Sequence, residues 1–435
     1  MWNEPTQTLD KKTLRDRQSK QLQKLVQTLH DRVPFYRARL DAAGIRPSDI
    51  QSIEDISRLP FTTKDDMREV FPCGLFAVDK TDIVEVHMSS GTTGKSVVGA
   101  YTKKDIALWS DVMARTLDMG GVGPADTVQN GFGYGFFTGG FGVHYGAHAL
   151  GAMVLPISSG NTQRQLHTMM DFGTTAITCT PSYALYMEEW AREHDIDMRS
   201  LSLKAGFFGA EPWSDAMRTD IETKLGIKAY DIYGLTEIIG PGVGAECTYQ
   251  KGLHIFEDHF YPEIIDPETG APLPPGEKGE LVLTALTREG TPVLRYRTRD
   301  ITFFIDEPCP CGRTSRRIHR LLGRNDDMLI IRGVNIFPAQ VEEVLVRVQG
   351  VEPHYRLIVD KKGAMDSLDV EVEMSEAMFS DEVKTVIALE RHIEHELKAV
   401  LNIQTKVTLV NPKSIARSEG KAVRVVDRRA VKNRA

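Results

Sequence analysis

The chain has 435 residues, which is too long for one compact core, so two or three domains are expected. Its 41% hydrophobic and 26% charged residues are ordinary for a globular protein, and a net charge of −7 argues against a nucleic-acid partner. The sequence has no membrane-length apolar run, no signal-peptide pattern at its start, and five cysteines too dispersed for a disulfide framework. We therefore expect a cytoplasmic protein with reduced thiols and no membrane partner.

The first two thirds of the sequence predict an α/β domain. Apolar residues at helical spacing between 22 and 29 predict an N-terminal helix that Pro34 ends. From residue 81 to 280, short apolar runs alternate with amphipathic helices, which is typical of mixed α/β structure. A glycine-dense segment occupies residues 120–146.

The last part of the chain predicts a separate βαββαβ-like module. Pro338 opens a helix that Gly350 closes, two strands follow, and a second amphipathic helix spans residues 383–400. A last strand, TKVTLV, precedes a tail predicted to be irregular.

These patterns give the predicted fold class: α/β, with a large N-terminal domain of mixed sheets and helices and a small α+β C-terminal domain. The change in pattern after GRNDD places the boundary near Asp326, so the domains are 1–325 and 326–435.

The stretch HMSSGTTGKSVVGAY, residues 87–101, resembles a phosphate-binding P-loop at first sight. However, Ser89 stands where the Walker motif needs its first glycine, and the β-branched residues that follow predict a strand rather than a helix. A helix begins only later, with Thr102 as N-cap and Asp105 three residues on. The loop is therefore predicted to join two strands.

Such a loop can still bind phosphate, through backbone N–H groups, hydroxyls and one ammonium. The alternative for the loop alone is a surface turn. The candidate phosphate-binding residues are Ser90, Gly91, Thr92, Thr93, Gly94 and Lys95.

Five motifs in order resemble the adenylate-forming superfamily of acyl-CoA synthetases and luciferases. They are SSGTTGKSV, DIYGLTE, YRTRD, GRNDDMLIIRGVNIFP and SEGKAVRVVD. The segments FGYGFFTGG, TPSYA, FGAEPW and RGVNIFP are similar to the phenylacetate–CoA ligase family. The resemblance implies two half-reactions: a carboxylate attacks the α-phosphorus of ATP to form an acyl adenylate, and the thiol of coenzyme A then displaces AMP.

The resemblance assigns Glu237 to Mg²⁺, Thr236 to the α-phosphate and Tyr233 to the adenine face. Asp300 and Arg324 would bind the ribose. Further nucleotide-binding candidates are Gly209, Ala210, Glu211, Pro212, Asp231 and Gly234. Where the family has a glycine before the ribose carboxylate, this chain has Arg299, which leaves the local turn uncertain.

By the same resemblance, the small C-terminal domain is mobile and carries the catalytic lysine of adenylate formation, Lys421. Asp326 would be the hinge residue, and Gly333 would line the pantetheine tunnel, where glycine allows close approach of a ligand.

Aromatic residues in the glycine-dense segment predict a pocket for a flat apolar acid. The candidate pocket residues are Tyr134, Phe136, Phe141 and Gly142, with Ile238 and Ile239 closing the far side. Each residue alone is more often an ordinary core residue, and it is the cluster that indicates a pocket. We expect an aryl or arylacetic acid, with phenylacetate as the family default.

Three cysteines and a histidine offer a complete tetrahedral zinc set, which would be structural. They are Cys247, His254, Cys309 and Cys311, and the alternative is a group of unpaired thiols. Cys73 and Cys179 lack such neighbours and are expected to be buried.

The leading functional prediction is an AMP-forming aryl acid–CoA ligase that uses ATP, Mg²⁺ and coenzyme A. The alternative acceptor is a carrier-protein thiol or an amine, and a P-loop NTPase is disfavoured by Ser89. A homodimer is left open.

Overall fold

The computed structural model describes residues 1–89, 96–325, 328–332, 334–362, 365–378, 383–417 and 424–429. The candidates Ser90 to Lys95, Asp326, Gly333 and Lys421 lie outside the described residues. The helices are α1 Glu4–Gln7, α2 Lys11–Arg32, α3 Pro34–Ala42, α4 Lys64–Glu69, α5 Lys103–Met119, α6 Thr138–Leu150, α7 Thr162–Phe172, α8 Pro181–Glu193, α9 Asp215–Leu225, α10 Pro338–Leu345 and α11 Val383–Leu401.

The strands of the N-terminal part follow the alternating pattern of the sequence. They are β1 Ile83–Met88, β2 Val98–Thr102, β3 Thr127–Asn130, β4 Met153–Leu155, β5 Ala176–Cys179, β6 Ala205–Phe208, β7 Lys228–Leu235, β8 Gly240–Glu246, β9 Leu253–Ile255, β10 Phe260–Ile265, β11 Gly279–Ala285, β12 Tyr296–Thr302, β13 Phe304–Ile305, β14 Arg317–Ile318 and β15 Gly323–Arg324. Those of the C-terminal part are β16 Leu329–Ile331, β17 Val334–Ile336, β18 Val351–Lys362, β19 Met365–Met374, β20 Lys406–Val410 and β21 Val425–Asp427.

The central element is a nine-stranded sheet in the order β13-β14-β9-β8-β7-β6-β5-β3-β4. From β4 to β7 neighbouring strands are parallel, and from β7 to β13 they are antiparallel. The parallel strands β3, β5 and β6 are buried on both faces, as expected where helices cover a sheet, whereas the edge strand β4 is partly exposed. This arrangement confirms the predicted mixed α/β fold, and β7 lies at the junction of its two halves.

Two smaller sheets stand beside the central one. The hairpin β1–β2 is antiparallel and pairs Met88 with Val98, so the loop of residues 90–95 does join two strands, as predicted. Thr102 caps α5 and forms a capping box with Asp105. The other sheet has the order β10-β11-β12-β15 and brings Asp300 opposite Arg324.

The C-terminal domain has its own sheet, in the order β20-β19-β18-β21, with α10 and α11 packed on it around a separate apolar core. The predicted helices and the strands β18, β19 and β20 are confirmed. The tail was predicted to be irregular, and this is wrong for Val425–Asp427, which pair in parallel with β18. Three residues are too few for a recognisable alternating pattern.

Two further predictions can be compared directly with the structure. In the described part of the chain, no helix combines the length and the apolarity needed to cross a membrane. Cys179 is buried as expected, whereas Cys73 is exposed, so its predicted burial was wrong. Cys73 follows the proline of a short turn after α4, where no sheet or helix covers it.

Candidate active site

A group of polar residues meets where β7, β12 and β15 come together. The Tyr233 hydroxyl donates to Asp300 at 2.5 Å, and a guanidinium nitrogen of Arg324 lies 3.4 Å from the other carboxylate oxygen. Tyr233 and Asp300 are both buried, and burial followed by the charge of Asp300 raises the pKa of Tyr233 well above its usual value. Three residues predicted separately to bind the nucleoside are therefore brought together.

The next two candidates follow β7 directly. The Thr236 hydroxyl lies 3.4 Å from that of Thr138, at the start of α6. The Glu237 carboxylate is only 6% exposed and lies 3.2 Å from the ammonium of Lys64. A buried carboxylate beside the predicted α-phosphate residue is a suitable ligand for a hard divalent cation, so these residues fit Mg²⁺.

The segment predicted to lie against the adenine follows β6. A Cβ at Gly209 would lie 2.6 Å from the carbonyl oxygen of Ile232, so only glycine fits there. Ala210 has a positive φ of 68°, and Glu211 accepts a hydrogen bond from the Ser182 backbone at 2.8 Å. The conformation of the segment is thus fixed by β7 on one side and by α8 on the other.

Asp231, also on β7, is buried rather than open to solvent. Burial and then the carboxylate of Glu246 raise the pKa of Asp231 to about 7, against the opposing effects of Trp213 and nearby arginines. Its role at the nucleotide remains a prediction.

The predicted acyl pocket is partly assembled. Tyr134 packs edge-on against Phe141 at 5.3 Å, and its hydroxyl lies 3.3 Å from Nδ1 of His144 and accepts from Asn130 at 2.8 Å. Phe136, also predicted to line this pocket, is 66% exposed.

Other pocket candidates serve packing in the structure. A Cβ at Gly142 would lie 2.7 Å from both Pro241 and the indole nitrogen of Trp109, so this glycine allows α6 to approach α5 closely. Ile238 and Ile239 are fully buried in the core. Their contribution to an acyl pocket remains a prediction.

The four predicted zinc ligands converge at the antiparallel end of the nine-stranded sheet. Their ligand atoms all lie within 4.8 Å of one another, with 3.6 Å between the sulfurs of Cys247 and Cys309 and 3.5 Å between Cys311 Sγ and His254 Nε2. Zinc bond lengths of about 2.3 Å to sulfur and 2.1 Å to nitrogen give tetrahedral edges of roughly 3.5–3.8 Å. The four residues therefore fit a zinc ion, and the hydrogen bond with Cys247 lowers the pKa of Cys311, favouring the thiolate that binds metal.

Partly buried ion pairs connect the C-terminal domain to α8. The Arg417 guanidinium binds both carboxylate oxygens of Glu189, at 2.7 and 3.1 Å, and also Glu373 of β19 at 2.8 Å. His354 lies 3.4 Å from the same Glu189. Burial opposes ionisation, but hydrogen bonds from His354 and Arg417 lower the pKa of Glu189 to about 2.

Two residues that the sequence patterns did not indicate contact Glu237 or the backbone next to it. Arg288 is 3% exposed and donates to the backbone oxygens of Glu237 and Ile238. Lys64 reaches Glu237 from α4. Neither belongs to a recognised motif, and both are far from Glu237 in sequence, so only the fold reveals them.

Comparison with known proteins agrees with this geometry. The AMP-binding enzyme family matches residues 9–285, and the AMP-binding enzyme C-terminal domain matches residues 333–429. A phenylacetate–coenzyme A ligase of Thermus thermophilus is 46% identical over 99% of this chain and 100% of its own length.

Two solved structures of one enzyme resemble the chain to different degrees. A 2-hydroxyisobutyryl-CoA ligase in the postadenylation state, in complex with R3-HIB-AMP, has a TM-score of 0.93 at 30% identity, with 99% of this chain and 93% of that chain covered. The same ligase in the thioesterification state, with 2-HIB-AMP and CoA, has a TM-score of 0.73 at 30% identity, covering 99% and 94%. The chain belongs to the AMP-binding, adenylate-forming enzymes and, among them, to the phenylacetate–CoA ligase family.

Proposed function

We propose that the protein is an AMP-forming aryl acid–CoA ligase that converts ATP, an aromatic carboxylate and coenzyme A into the aryl-CoA thioester, AMP and diphosphate. The observation that carries the proposal is the convergence of Tyr233, Asp300 and Arg324 beside the buried Glu237. The 46% identity to a phenylacetate–coenzyme A ligase over the whole chain supports phenylacetate as the first acid to test.

In the first half-reaction, Asp300 accepts hydrogen bonds from the ribose hydroxyls, with Arg324 and Tyr233 fixing its carboxylate. Thr236 donates to the α-phosphate. Glu237 would hold Mg²⁺, which supplies charge neutralisation on the phosphates. The hydroxyl and glycine loop of residues 90–95 would contact the same phosphates.

Lys421 would bind the acid's carboxylate and the α-phosphate, which orients the nucleophile in line with the leaving group. Thioester formation would follow rotation of the C-terminal domain about Asp326, with Gly333 lining the path of the pantetheine. This division of roles predicts that Lys421→Ala abolishes adenylate formation, while thioester formation from added aryl adenylate and coenzyme A largely remains. Equal loss of both half-reactions would contradict it.

The cluster of Cys247, His254, Cys309 and Cys311 would hold a structural zinc ion, because all four tetrahedral positions are taken by protein. It lies on β9 and in loops next to β8 and β14, where it would fasten the sheet edge without touching the reactants. The cytoplasmic location and a homodimer remain predictions.

The decisive experiment measures pyrophosphate release with ATP and Mg²⁺ over a panel of aromatic and aliphatic acids, each with and without coenzyme A. We expect sustained turnover only with an aryl acid plus coenzyme A. Release that stops after one turnover despite coenzyme A would favour a carrier-protein thiol or an amine as acceptor.

A further inference from the structure

Lys64 stands out as a cation at the candidate active site that no motif assigns. Its ammonium lies 3.2 Å from a carboxylate oxygen of Glu237, the proposed Mg²⁺ ligand. The lysine side chain is 30% exposed and that of Glu237 is 6% exposed, so the lysine is the more accessible member of the pair.

The backbone before Lys64 is fixed to β12. Thr62 is fully buried, and its N–H donates to the Arg295 carbonyl at 3.0 Å while its own carbonyl accepts from the Arg297 N–H at 2.9 Å. The Thr62 hydroxyl donates to the Leu294 carbonyl at 2.6 Å. Lys64 therefore follows, two residues later, a position whose backbone is anchored as in a strand.

The backbone after Thr62 is equally constrained. Thr63 caps α4 and forms a capping box with Asp66, and Asp66 binds Arg39 at 2.6 Å. The backbone is anchored on both sides of Lys64, so little further backbone entropy is lost when its side chain binds a partner. Lys64 is therefore suited to a defined electrostatic role.

The segment also has a defined position relative to the nucleotide residues. Thr62 bridges to Tyr296, the first residue of β12, and Asp300 lies on the same strand. Lys64 therefore lies beside Glu237 and next to β12, the strand that carries Asp300, the proposed ribose-binding residue.

An ammonium has three N–H donors, whereas Glu237 is the single ion-pair partner of Lys64 among the residues that the structure describes. Glu237 is also the proposed ligand of Mg²⁺. If Glu237 holds Mg²⁺ as proposed, a cation at the same carboxylate would be placed near the phosphate oxygens that Mg²⁺ neutralises.

We propose that Lys64 binds the diphosphate part of ATP and stabilises it as the leaving group. This inference rests on the proposed function. In the adenylation step, a carboxylate oxygen of the acid bonds to the α-phosphorus, and the bond from that phosphorus to the oxygen bridging to the β-phosphate breaks. The electron pair of the broken bond leaves with diphosphate, no proton is transferred, and Lys64 neutralises the charge that develops there.

The test compares Lys64→Ala and Lys64→Arg with the wild type by calorimetric binding of two probes in the presence of Mg²⁺. One probe is the α,β-methylene analogue of ATP, which carries the β- and γ-phosphates, and the other is AMP, which lacks them. The control is Lys228→Ala, which removes a lysine–glutamate pair with Glu222 at the opposite end of β7.

We expect Lys64→Ala to weaken binding of the ATP analogue by about tenfold to a hundredfold, the usual effect of losing a hydrogen bond to a charged group. Binding of AMP should stay unchanged, and Lys64→Arg should restore most of the loss. Pyrophosphate release should slow, while thioester formation from added aryl adenylate should not.

Equal weakening for both probes would overturn the proposal, and so would unchanged binding of the analogue with only an altered Mg²⁺ requirement. In the second case Lys64 would be no more than a counter-ion of Glu237. Failure of the proposed function itself is distinguishable, because then the wild type would not release pyrophosphate with any aryl acid.

Discussion

Arg299 occupies a position where the related motif has glycine, and its backbone keeps the conformation that glycine favours. Its φ is +64°, in the left-handed region that costs a side-chain-bearing residue about 1–2 kcal/mol. The chain is held there by bonds from Arg299 N–H to Glu280 and from Asn325 N–H to the Arg299 carbonyl. The turn whose conformation the sequence left uncertain is thus retained at an energetic cost.

We therefore predict that Arg299→Gly stabilises the protein by about 1 kcal/mol, seen as a rise of roughly 1 °C in Tm by calorimetry. Arg299→Ala is the control, because it removes the same side chain but keeps the strained φ. Equal Tm changes for the two variants would show that the backbone is not the source of the effect.

The buried Asp231 predicts a pH-dependent stability. With a folded pKa of about 7 and an unfolded pKa near 4, the folded state holds a proton that the unfolded state has released, so the free energy of unfolding falls as pH rises from 4 to 7. Asp231→Asn should remove this decrease, on the order of 4 kcal/mol for a pKa raised from near 4 to about 7, in urea unfolding measured across that range. Identical pH profiles for wild type and variant would contradict the assignment.

Intact motifs identified residues that the fold brings together, and the roles of these residues stay predictions. Tyr233, Asp300 and Arg324 were identified from three separate segments and meet in the fold. Lys64 and Arg288 were not identified, because a lysine or arginine without a pattern is indistinguishable from a surface charge until its partner is known.

At the scale of elements, α5 and α6 show why a glycine-dense segment need not be a binding loop. A Cβ at Gly146 would lie 2.4 Å from the Cβ of Met113 and 2.9 Å from the backbone nitrogen of Ala114. These glycines let the two helices approach closely, in addition to any contribution to a pocket.

Gly146→Ala should accordingly destabilise the protein by about 1–3 kcal/mol through overpacking. Gly123→Ala is the matched control, since nothing lies within 4 Å of a Cβ there. Chemical denaturation measures both changes, and similar effects from the two substitutions would refute the packing explanation.

The Cys3His cluster joins elements that are otherwise held by short pairings, since β14 contributes only Arg317 and Ile318 to the sheet. We expect elemental analysis of chelator-washed protein to give about one zinc per chain, falling in Cys309→Ser but not in Cys73→Ser, whose cysteine is exposed and outside the cluster. A zinc content near zero in the wild type would show that these residues do not form a zinc site.

For the whole molecule, the Glu189–Arg417 pair bears on domain orientation. The structure that contains this contact has a higher TM-score to a postadenylation state than to a thioesterification state. The contact therefore belongs to a domain arrangement that resembles the postadenylation state. The sequence predicts two domains from a change in pattern, but the contact between Glu189 and Arg417 could not be predicted, because these residues belong to no motif.

Glu189→Ala should slow adenylate formation by roughly tenfold, because it leaves Arg417 without its partner across the domain boundary. Thioester formation from added adenylate should be unaffected or faster in stopped-flow assays. Glu188→Ala is the control, as its partner Arg192 is on the same helix. Equal slowing of both half-reactions would argue against a role in domain orientation.

The arginines on either side of Lys421 have a kinetic consequence. Arg417 is bound to Glu189 and Glu373, and Arg424 contacts Tyr355 and Glu342, so the chain is fastened four residues before the lysine and three residues after it. Even fully extended, four residues reach no further than about 14 Å. If Lys421 acts in adenylate formation as proposed, attachment at both ends over so short a distance would give its ammonium a high effective concentration at the substrate, and removing either attachment would lower that concentration without altering the lysine itself.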